Sequence, residues 1–315
     1  MKIKSPLITV AEVVPLASAG ADCFYAGVSD EVVFSPRSVS EGGVSSVLPD
    51  AFSNFTSLDA FREAVHETHK CEKELFVVFN ASYYTNSQID DIFRFLHAVG
   101  EVDGVIVSGI DFVSALRAEF PRLQLSASTI SHVMNSRAVS FYKDYGVSSF
   151  VLPQPFRFDE ISTCVARNSD VEFECFVLGA DCPMIQGICS YGHEGRHHFD
   201  NDRRPECHKW RVINVAAENA EAGLGYRIAL EYSRYIPTKC GACFVQDLME
   251  SGVQRLKIAG RGYPSSEKLA NVRLVKFAVD NSHLPYDDYR AAIRDRFRDL
   301  FDKDCDQRCL YGELA

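Results

Sequence analysis

The chain has 315 residues, a formal net charge of −10, 46% hydrophobic residues and 24% charged residues. This composition is that of a globular protein with a sizeable core, and it excludes a disordered chain. The acidic balance also excludes the broadly basic surface that is typical of nucleic-acid binders.

Segments with strand-like and helix-like patterns alternate along the chain. Several strand candidates are almost continuously apolar, which is typical of parallel strands buried on both faces. The helix candidates place apolar residues on one face, as the run from Gln88 to Val99 does. This alternation predicts an α/β fold, namely a TIM-barrel-like (β/α)8 domain. The predicted strands are residues 7–10, 23–28, 75–80, 104–108, 123–127, 148–152, 171–177 and 255–258, and the main helices between them are 57–65, 88–99, 111–120, 136–145 and 159–167.

One segment breaks the alternation. Residues 181–211 are rich in Cys, His, Gly and Arg and show little periodicity, and a long irregular segment inside a compact domain is usually functional. We therefore expect a barrel domain over residues 1–264 that carries this inserted Cys/His-rich loop. Residues 265–315 are expected to form a C-terminal helical extension.

The chain contains 11 cysteines and no apolar signal-peptide core at its start. We expect a cytoplasmic location, and many cysteines in a cytoplasmic chain indicate metal binding or catalysis before disulfides. No run approaches the roughly 18 apolar residues of a membrane span, so no transmembrane segment is expected.

Four cysteines in the second half of the chain have the spacing of a metal site assembled from separate loops. Cys182, Cys189, Cys207 and Cys240 are separated by seven, 18 and 33 residues, and Cys243 follows as a second candidate for the last position. Thiolates bind iron–sulfur clusters, and four of them also suit tetrahedral zinc. From the residues alone, an iron–sulfur cluster, a zinc ion and a set of unligated thiols all stay open.

The stretch from His193 to His197 matches the H-E-x-x-H pattern of zinc peptidases. That pattern requires a helix that puts both histidines on one face, and Gly192 and Gly195 disfavour a helix here. His193 is therefore interpreted as a loop residue near a metal or substrate site, and a metallopeptidase remains the alternative.

Active sites of barrels lie at the carboxyl ends of the strands, and three basic residues are candidates for such a site. Lys257 is near the end of the last strand, while Arg37 and Arg261 are candidates to bind an anionic group, because guanidinium pairs bidentately with carboxylate or phosphate. A solvated loop position for Arg37 and structural ion pairs for Lys257 and Arg261 are the alternatives.

Three segments together resemble peptidase family U32. They are residues 172–189, with a Gly-Ala-x-Cys and a second Cys seven positions on, residues 240–261, with Gly252-Val253 and a Lys-Ile-x-Gly-Arg run, and the opening Ala-Gly-Ala-Asp of residues 19–22. The chain departs from the family pattern at Pro153 to Pro155 and at Ala259.

The resemblance implies a barrel-like domain that holds a 4Fe-4S cluster through Cys182, Cys189, Cys207 and Cys240. It further implies an oxidoreductase that supports oxygen-independent hydroxylation of a small or aromatic substrate. The acidic charge, and the missing C-terminal domain of longer RNA-modifying members, lead us not to expect a nucleic-acid partner. A peptidase or hydrolase is one alternative, and a cluster-bearing subunit paired with a paralogous U32 chain is another.

Overall fold

The computed structural model describes residues 1–40, 53–154, 156–179, 187, 239–305 and 309–311. Eight parallel strands close into a barrel, in the order β1-β9-β8-β7-β6-β5-β4-β2, with β2 pairing back to β1. The short β3 pairs with β2. The strands are β1 (Lys2–Pro6), β2 (Cys23–Val28), β3 (Asn54–Phe55), β4 (Glu74–Phe79), β5 (Gly104–Val107), β6 (Gln124–Ala127), β7 (Ser149–Val151), β8 (Glu172–Leu178) and β9 (Arg255–Ile258).

Helices surround the barrel, and their ends follow local sequence signals. Ser57 accepts a hydrogen bond from the amide of Ala60 at 3.4 Å, and Thr85 with Gln88 forms a capping box. The helices are α1 (Val13–Ala19), α2 (Asp30–Val33), α3 (Pro36–Ser40), α4 (Leu58–Lys70), α5 (Asn86–Val99), α6 (Ile110–Glu119), α7 (Ser136–Asp144), α8 (Phe158–Arg167), α9 (Val245–Glu250), α10 (Ser265–Asp280) and α11 (Tyr286–Phe301). Within the described ranges, none of these helices is long and apolar enough to cross a membrane.

The TIM-barrel-like α/β prediction is confirmed, and seven predicted strands agree with the structure to within one residue at each end. The first predicted strand is wrong. β1 is Lys2–Pro6, whereas Val10–Glu12 forms a 3-10 turn. Lys4 and Ser5 are fully buried in this strand, and polar residues in a barrel interior conceal the apolar pattern on which strand prediction depends.

The apolar core has two parts. The larger part lies between the outer face of the barrel and the helices. A separate small cluster, on alternate residues of β2, β4 and β5, lies inside the barrel. Its members are Cys23, Tyr25, Phe76, Val78 and Ile106.

The first C-terminal helix is part of the barrel wall. α10 packs against β1 and α1, and buried Lys268 lies 3.0 Å from a carboxylate oxygen of Glu12, which also accepts a hydrogen bond from Ser265. α10 thus stands where the eighth helix of such a barrel is expected. The boundary predicted at residue 264 stays a prediction.

Candidate functional site

The interior of the barrel carries charged side chains on three adjacent strands. Glu174 on β8 is fully buried, and its two carboxylate oxygens lie 2.9 Å from Nζ of Lys257 on β9 and 2.5 Å from Nζ of Lys4 on β1. Lys257 is itself buried, and its ammonium lies 4.3 Å from the centroid of the Tyr25 ring. The Lys4 ammonium in turn lies 3.9 Å from the centroid of the Phe76 ring. One carboxylate is therefore shared between two buried ammonium groups, and each of them also has a cation–π contact.

These neighbours change the protonation of the site. Burial opposes ionisation of Glu174, but the ammonium groups of Lys257 and Lys4 prevail and lower its pKa to about 2. Burial lowers the pKa of Lys257 to about 8, against the opposing attraction of Glu174. Lys257 can therefore exchange a proton close to neutral pH, which is the property required of a general acid or base.

A second charged layer lies closer to the amino ends of the strands. Arg255 is buried and its Nη2 lies 2.8 Å from Glu172 and 3.3 Å from Glu74. Its guanidinium also lies 5.1 Å from the ring centroid of Phe76. These contacts occupy Arg255 with structural ion pairs near the amino ends of the strands.

Sequence reasoning singled out Lys257 but missed Lys4 and Glu174. A signal was present in the sequence, because Glu172 and Glu174 alternate with apolar residues in a strand that is otherwise buried. Arg255 and Lys257 alternate in the same way on the neighbouring strand. Such a period of two places all the charges of a strand on one face, here the barrel interior.

Arg261 lies at the carboxyl end of β9 and is only 4% exposed. Its Nη1 donates a hydrogen bond to Oδ1 of Asn54 at 2.8 Å. Both side chains approach Gly27 on β2, where an added Cβ would lie 1.8 Å from the Asn54 oxygen and 2.0 Å from the Arg261 nitrogen. Only glycine leaves room for this pair.

We expect Gly27→Ala to destabilise the fold by about 1–3 kcal/mol, because the new methyl group displaces the buried Arg261–Asn54 pair. Urea unfolding measures the change. The same substitution in an Arg261→Ala background should cost clearly less, since one of the two clashing groups is then absent. Equal costs in both backgrounds would contradict the assigned contact.

The other predicted residues are placed as follows. Arg37 is exposed on α3, in the segment that follows β2, and its role as an anion-binding residue stays a prediction. His193 lies outside the described residues. The polar residues at other strand ends bind neighbouring protein groups, as Asn80 does when it donates to Ser128 at 3.0 Å and as Tyr25 does when it donates to the carbonyl of Ile258 at 3.0 Å.

Cys240 lies at the carboxyl end of β8. Its backbone forms an antiparallel bridge with Leu178, and the amide of the next residue, Gly241, donates to the carbonyl of Val177 at 2.7 Å. Its thiol is half-buried, and burial raises its pKa to about 12, with the neighbouring thiols acting in the same direction. This position is on the rim of the barrel, where active sites of this fold are built.

The remaining predicted cluster ligands, Cys182, Cys189 and Cys207, lie outside the described residues. Cys240 fits a thiolate-bound cluster in its chemistry, because coordination to a metal deprotonates a thiol whose pKa is otherwise high. In the described ranges, no three His, Cys, Asp or Glu side chains already converge on a point that could hold a metal ion. The described part of the chain therefore supplies one ligand of the predicted set.

A cavity of about 500 Å³ opens at the opposite end of the barrel. Its walls come from the end of α4 and from the segments that precede β5 and β6, and they include His69, Asp103 and Phe120. The amino ends of barrel strands serve stability in this fold rather than catalysis. We therefore place the candidate site at the Cys240 end.

Similar proteins include two that are named for RNA modification. The chain is 28% identical over 127 residues to tRNA hydroxylation protein P of Haemophilus influenzae, which is 40% of this chain and 27% of that protein. It is 25% identical over 231 residues to tRNA hydroxylation protein P1 of Bacillus subtilis, which is 70% of this chain and 52% of that protein. The chain thus spans about a quarter to about half of the length of these relatives.

A solved structure described as that of a U32 peptidase matches with a TM-score of 0.48 and 16% identity, over 65% of this chain and 81% of that one. The model of peptidase family U32 matches residues 9–313, which is nearly the whole chain. The chain therefore belongs to peptidase family U32.

Proposed function

We propose that this chain is an iron–sulfur enzyme of the U32 family that supports oxygen-independent hydroxylation. The observation that carries the proposal is the bridge between Cys240 and Leu178, which fixes one predicted cluster ligand at the carboxyl end of β8. The chain that leaves the same strand end at Gly179 reaches Cys182 three residues later. In the sequence, Cys182 is thus four positions from the end of the strand beside which Cys240 lies.

The cluster would be held by Cys182, Cys189, Cys207 and Cys240. When bound, it would supply one-electron chemistry, with a potential set by its burial and by hydrogen bonds to its sulfur atoms. The residues described above perform the other tasks. Glu174 holds Lys257 in a fixed position, and Lys257 can give or accept a proton near pH 8, in keeping with its lowered pKa.

Arg261 adds a buried positive charge near the same end of the barrel. Burial raises the pKa of the Tyr25 hydroxyl, and the charge of Arg261 acts in the opposite direction. Arg261 is therefore close enough to Tyr25 to influence its ionisation. Lys257 lies against the Tyr25 ring. An anionic group of a substrate or oxygen donor would find an ammonium and a guanidinium here, and in a site of low dielectric such groups attract anions strongly.

The substrate class is the part of the sequence prediction that needs revision. The relatives are named for hydroxylation of tRNA, which opposes the expectation that excludes a nucleic-acid partner. Net charge is a property of the whole surface and does not exclude a local RNA-binding face. We therefore propose an RNA base as the first substrate to test, with a small aromatic molecule as the second.

The alternative hypothesis, a peptidase, rests on the family name and on His193, Glu194 and His197. All three residues lie outside the described ranges, so the geometry of the described site gives it no support. A zinc-bound chain that cleaves peptides would nevertheless replace the hydroxylation proposal, and the experiment below includes that outcome.

The test combines metal analysis with a product assay. Protein purified without oxygen should contain about four irons and four sulfides per chain and absorb near 400 nm. In the native host, deletion of the gene should remove one hydroxylated nucleoside from total RNA, as measured by mass spectrometry. Wild-type protein should restore this nucleoside, and the Cys182→Ser variant should not.

Each outcome decides one part of the proposal. Stoichiometric zinc without iron would overturn the cluster and bring the hydrolase forward. A full complement of iron with unchanged RNA would overturn the RNA substrate. Co-purification with a second U32 chain, and activity only of the pair, would identify the chain as a subunit of a hetero-oligomer.

A further inference from the structure

Two lysines lie side by side in the barrel interior, and strand register holds them there. β1 and β9 are parallel neighbours, and Lys4 is the direct partner of Lys257 across them. Neighbouring strands are about 4.8 Å apart, so the register brings two ammonium groups into one small volume, where they share the carboxylate of Glu174. A buried amine beside a second cation is activated as a nucleophile, because the nearby charge favours loss of its proton.

The three charged groups differ in their access to solvent. The side chains of Lys4 and Glu174 are 0% exposed, whereas that of Lys257 is 8% exposed. The rings of Tyr25 and Phe176, whose centroids lie 4.3 and 5.9 Å from the Lys257 ammonium, belong to residues that are each 7% exposed. A small molecule that reaches this part of the barrel therefore meets the Lys257 amine first, between two aromatic rings.

The protonation of Lys257 agrees with this geometry. Burial lowers its pKa to about 8, the charge of Lys4 acts in the same direction, and the carboxylate of Glu174 opposes both. Roughly a tenth of the Lys257 side chains therefore carry an uncharged amine at pH 7, far more than for a lysine in water. Only the uncharged amine has the lone pair that attacks a carbonyl carbon.

A guanidinium lies one interior layer further along the barrel. Tyr25 and Gly27 are two residues apart on β2, so they face the same side and their Cα atoms are about 6.6 Å apart. Lys257 lies against the Tyr25 ring, and Nη1 of Arg261 lies where a side chain at Gly27 would begin. The amine and the guanidinium are thus separated by about the length of a small molecule with a carbonyl group at one end and an anionic group at the other.

We propose that Lys257 is a nucleophile that binds small carbonyl compounds covalently, as an imine, and that Arg261 favours those that carry a carboxylate or a phosphate group. The uncharged amine attacks the carbonyl carbon, and the carbinolamine that forms loses the former carbonyl oxygen as water. Counted from the ammonium form, a C=N bond replaces the C=O bond, one water leaves, and the positive charge stays on the nitrogen beside Glu174. The reaction uses the site of the proposed function but does not depend on the cluster.

Reductive trapping tests the proposal, because cyanoborohydride converts an imine into a stable secondary amine whose added mass identifies the carbonyl compound. The full chain is incubated with pyruvate, dihydroxyacetone phosphate or acetone, reduced, digested and analysed by mass spectrometry. We expect about one adduct per chain, on the peptide that contains Lys257. Comparison of pyruvate with dihydroxyacetone phosphate shows whether the preferred anionic group is a carboxylate or a phosphate.

Lys257→Arg keeps a cation beside Glu174 but cannot form an imine, so it should lower the labelling at least about tenfold. Lys268→Arg is the matched control, because Lys268 is also buried, is paired with Glu12 and has a pKa that burial lowers. Its labelling should equal that of wild type. Circular dichroism checks that each variant is folded, and the position of the adduct in wild type decides the matter if a variant is not.

Arg261→Gln should lower labelling by the two anionic compounds at least about fivefold and leave labelling by acetone unchanged. An equal loss with all three compounds would overturn the role of Arg261. Adducts spread over exposed lysines, or adduct at the wild-type level in Lys257→Arg, would overturn the nucleophile. Because the measurement is a mass on one peptide, the result is independent of whether the chain binds iron or hydroxylates RNA.

Discussion

Glu174→Gln is expected to destabilise the protein by about 3–5 kcal/mol, the usual effect of removing one partner from a buried ion pair. Glu174 is fully buried between Lys4 and Lys257, and the amide leaves two ammonium groups in the barrel without their shared counter-charge. Urea unfolding at pH 7 measures the loss. Glu67→Gln, which removes an i,i+3 pair with Lys70 on the surface of α4, should leave the stability almost unchanged, because exposed ion pairs contribute little.

The dependence of folding stability on pH shows in which direction the Glu174 carboxylate acts. The pKa of Glu174 is lowered from 4.5 to about 2 in the folded protein, so its contribution is complete above pH 4.5 and is lost as the pH falls towards 2. The Glu174→Gln variant has no carboxylate at this position, so it should not show this loss of stability between pH 4.5 and pH 2. In the variant, Lys257, whose pKa burial lowers, loses its proton more easily in the folded than in the unfolded state, so the stability of the variant should rise above neutral pH. A variant as stable as wild type at pH 7 would contradict the buried ion triad.

Cys240→Ser is expected to lower the iron content of anaerobically purified protein at least about fivefold, whereas Cys243→Ser should retain it. Cys240 is fixed at the end of β8 by its bridge to Leu178. Cys243 instead lies three residues further on, in the turn Ala242–Phe244 that follows this bridge. The sequence alone leaves both candidates open for the last cluster position, and this placement favours Cys240.

Iron and sulfide assays with the visible spectrum provide the measurement, and Cys164→Ser serves as the control because Cys164 is buried on α8. Loss of iron in Cys243→Ser with retention in Cys240→Ser would reverse the assignment. Equal retention in both variants would remove this segment from the cluster altogether.

The architecture was readable in the sequence because buried parallel strands are continuous apolar runs, and seven of them were located closely. The exception, β1, shows the limit of that rule. Lys4 is buried in it, and a charged residue in an apolar segment argues against a strand unless its counter-charge is known. That counter-charge, Glu174, is 170 residues away along the chain and meets Lys4 only when the barrel closes between β1 and β9.

The sequence by itself determined the barrel class, the family resemblance and the cysteine types that suit a thiolate-bound metal, because these depend on local periodicity and on residue chemistry. The tertiary structure alone decided which groups face one another. In it, Lys257 forms an ion pair with Glu174, and Cys309 lies beside Cys240. The hydrogen-bonded side chains of Arg261 and Asn54 pack against Gly27. Such contacts arise from strand order and register around a closed barrel, which fix distances between residues that are remote along the chain.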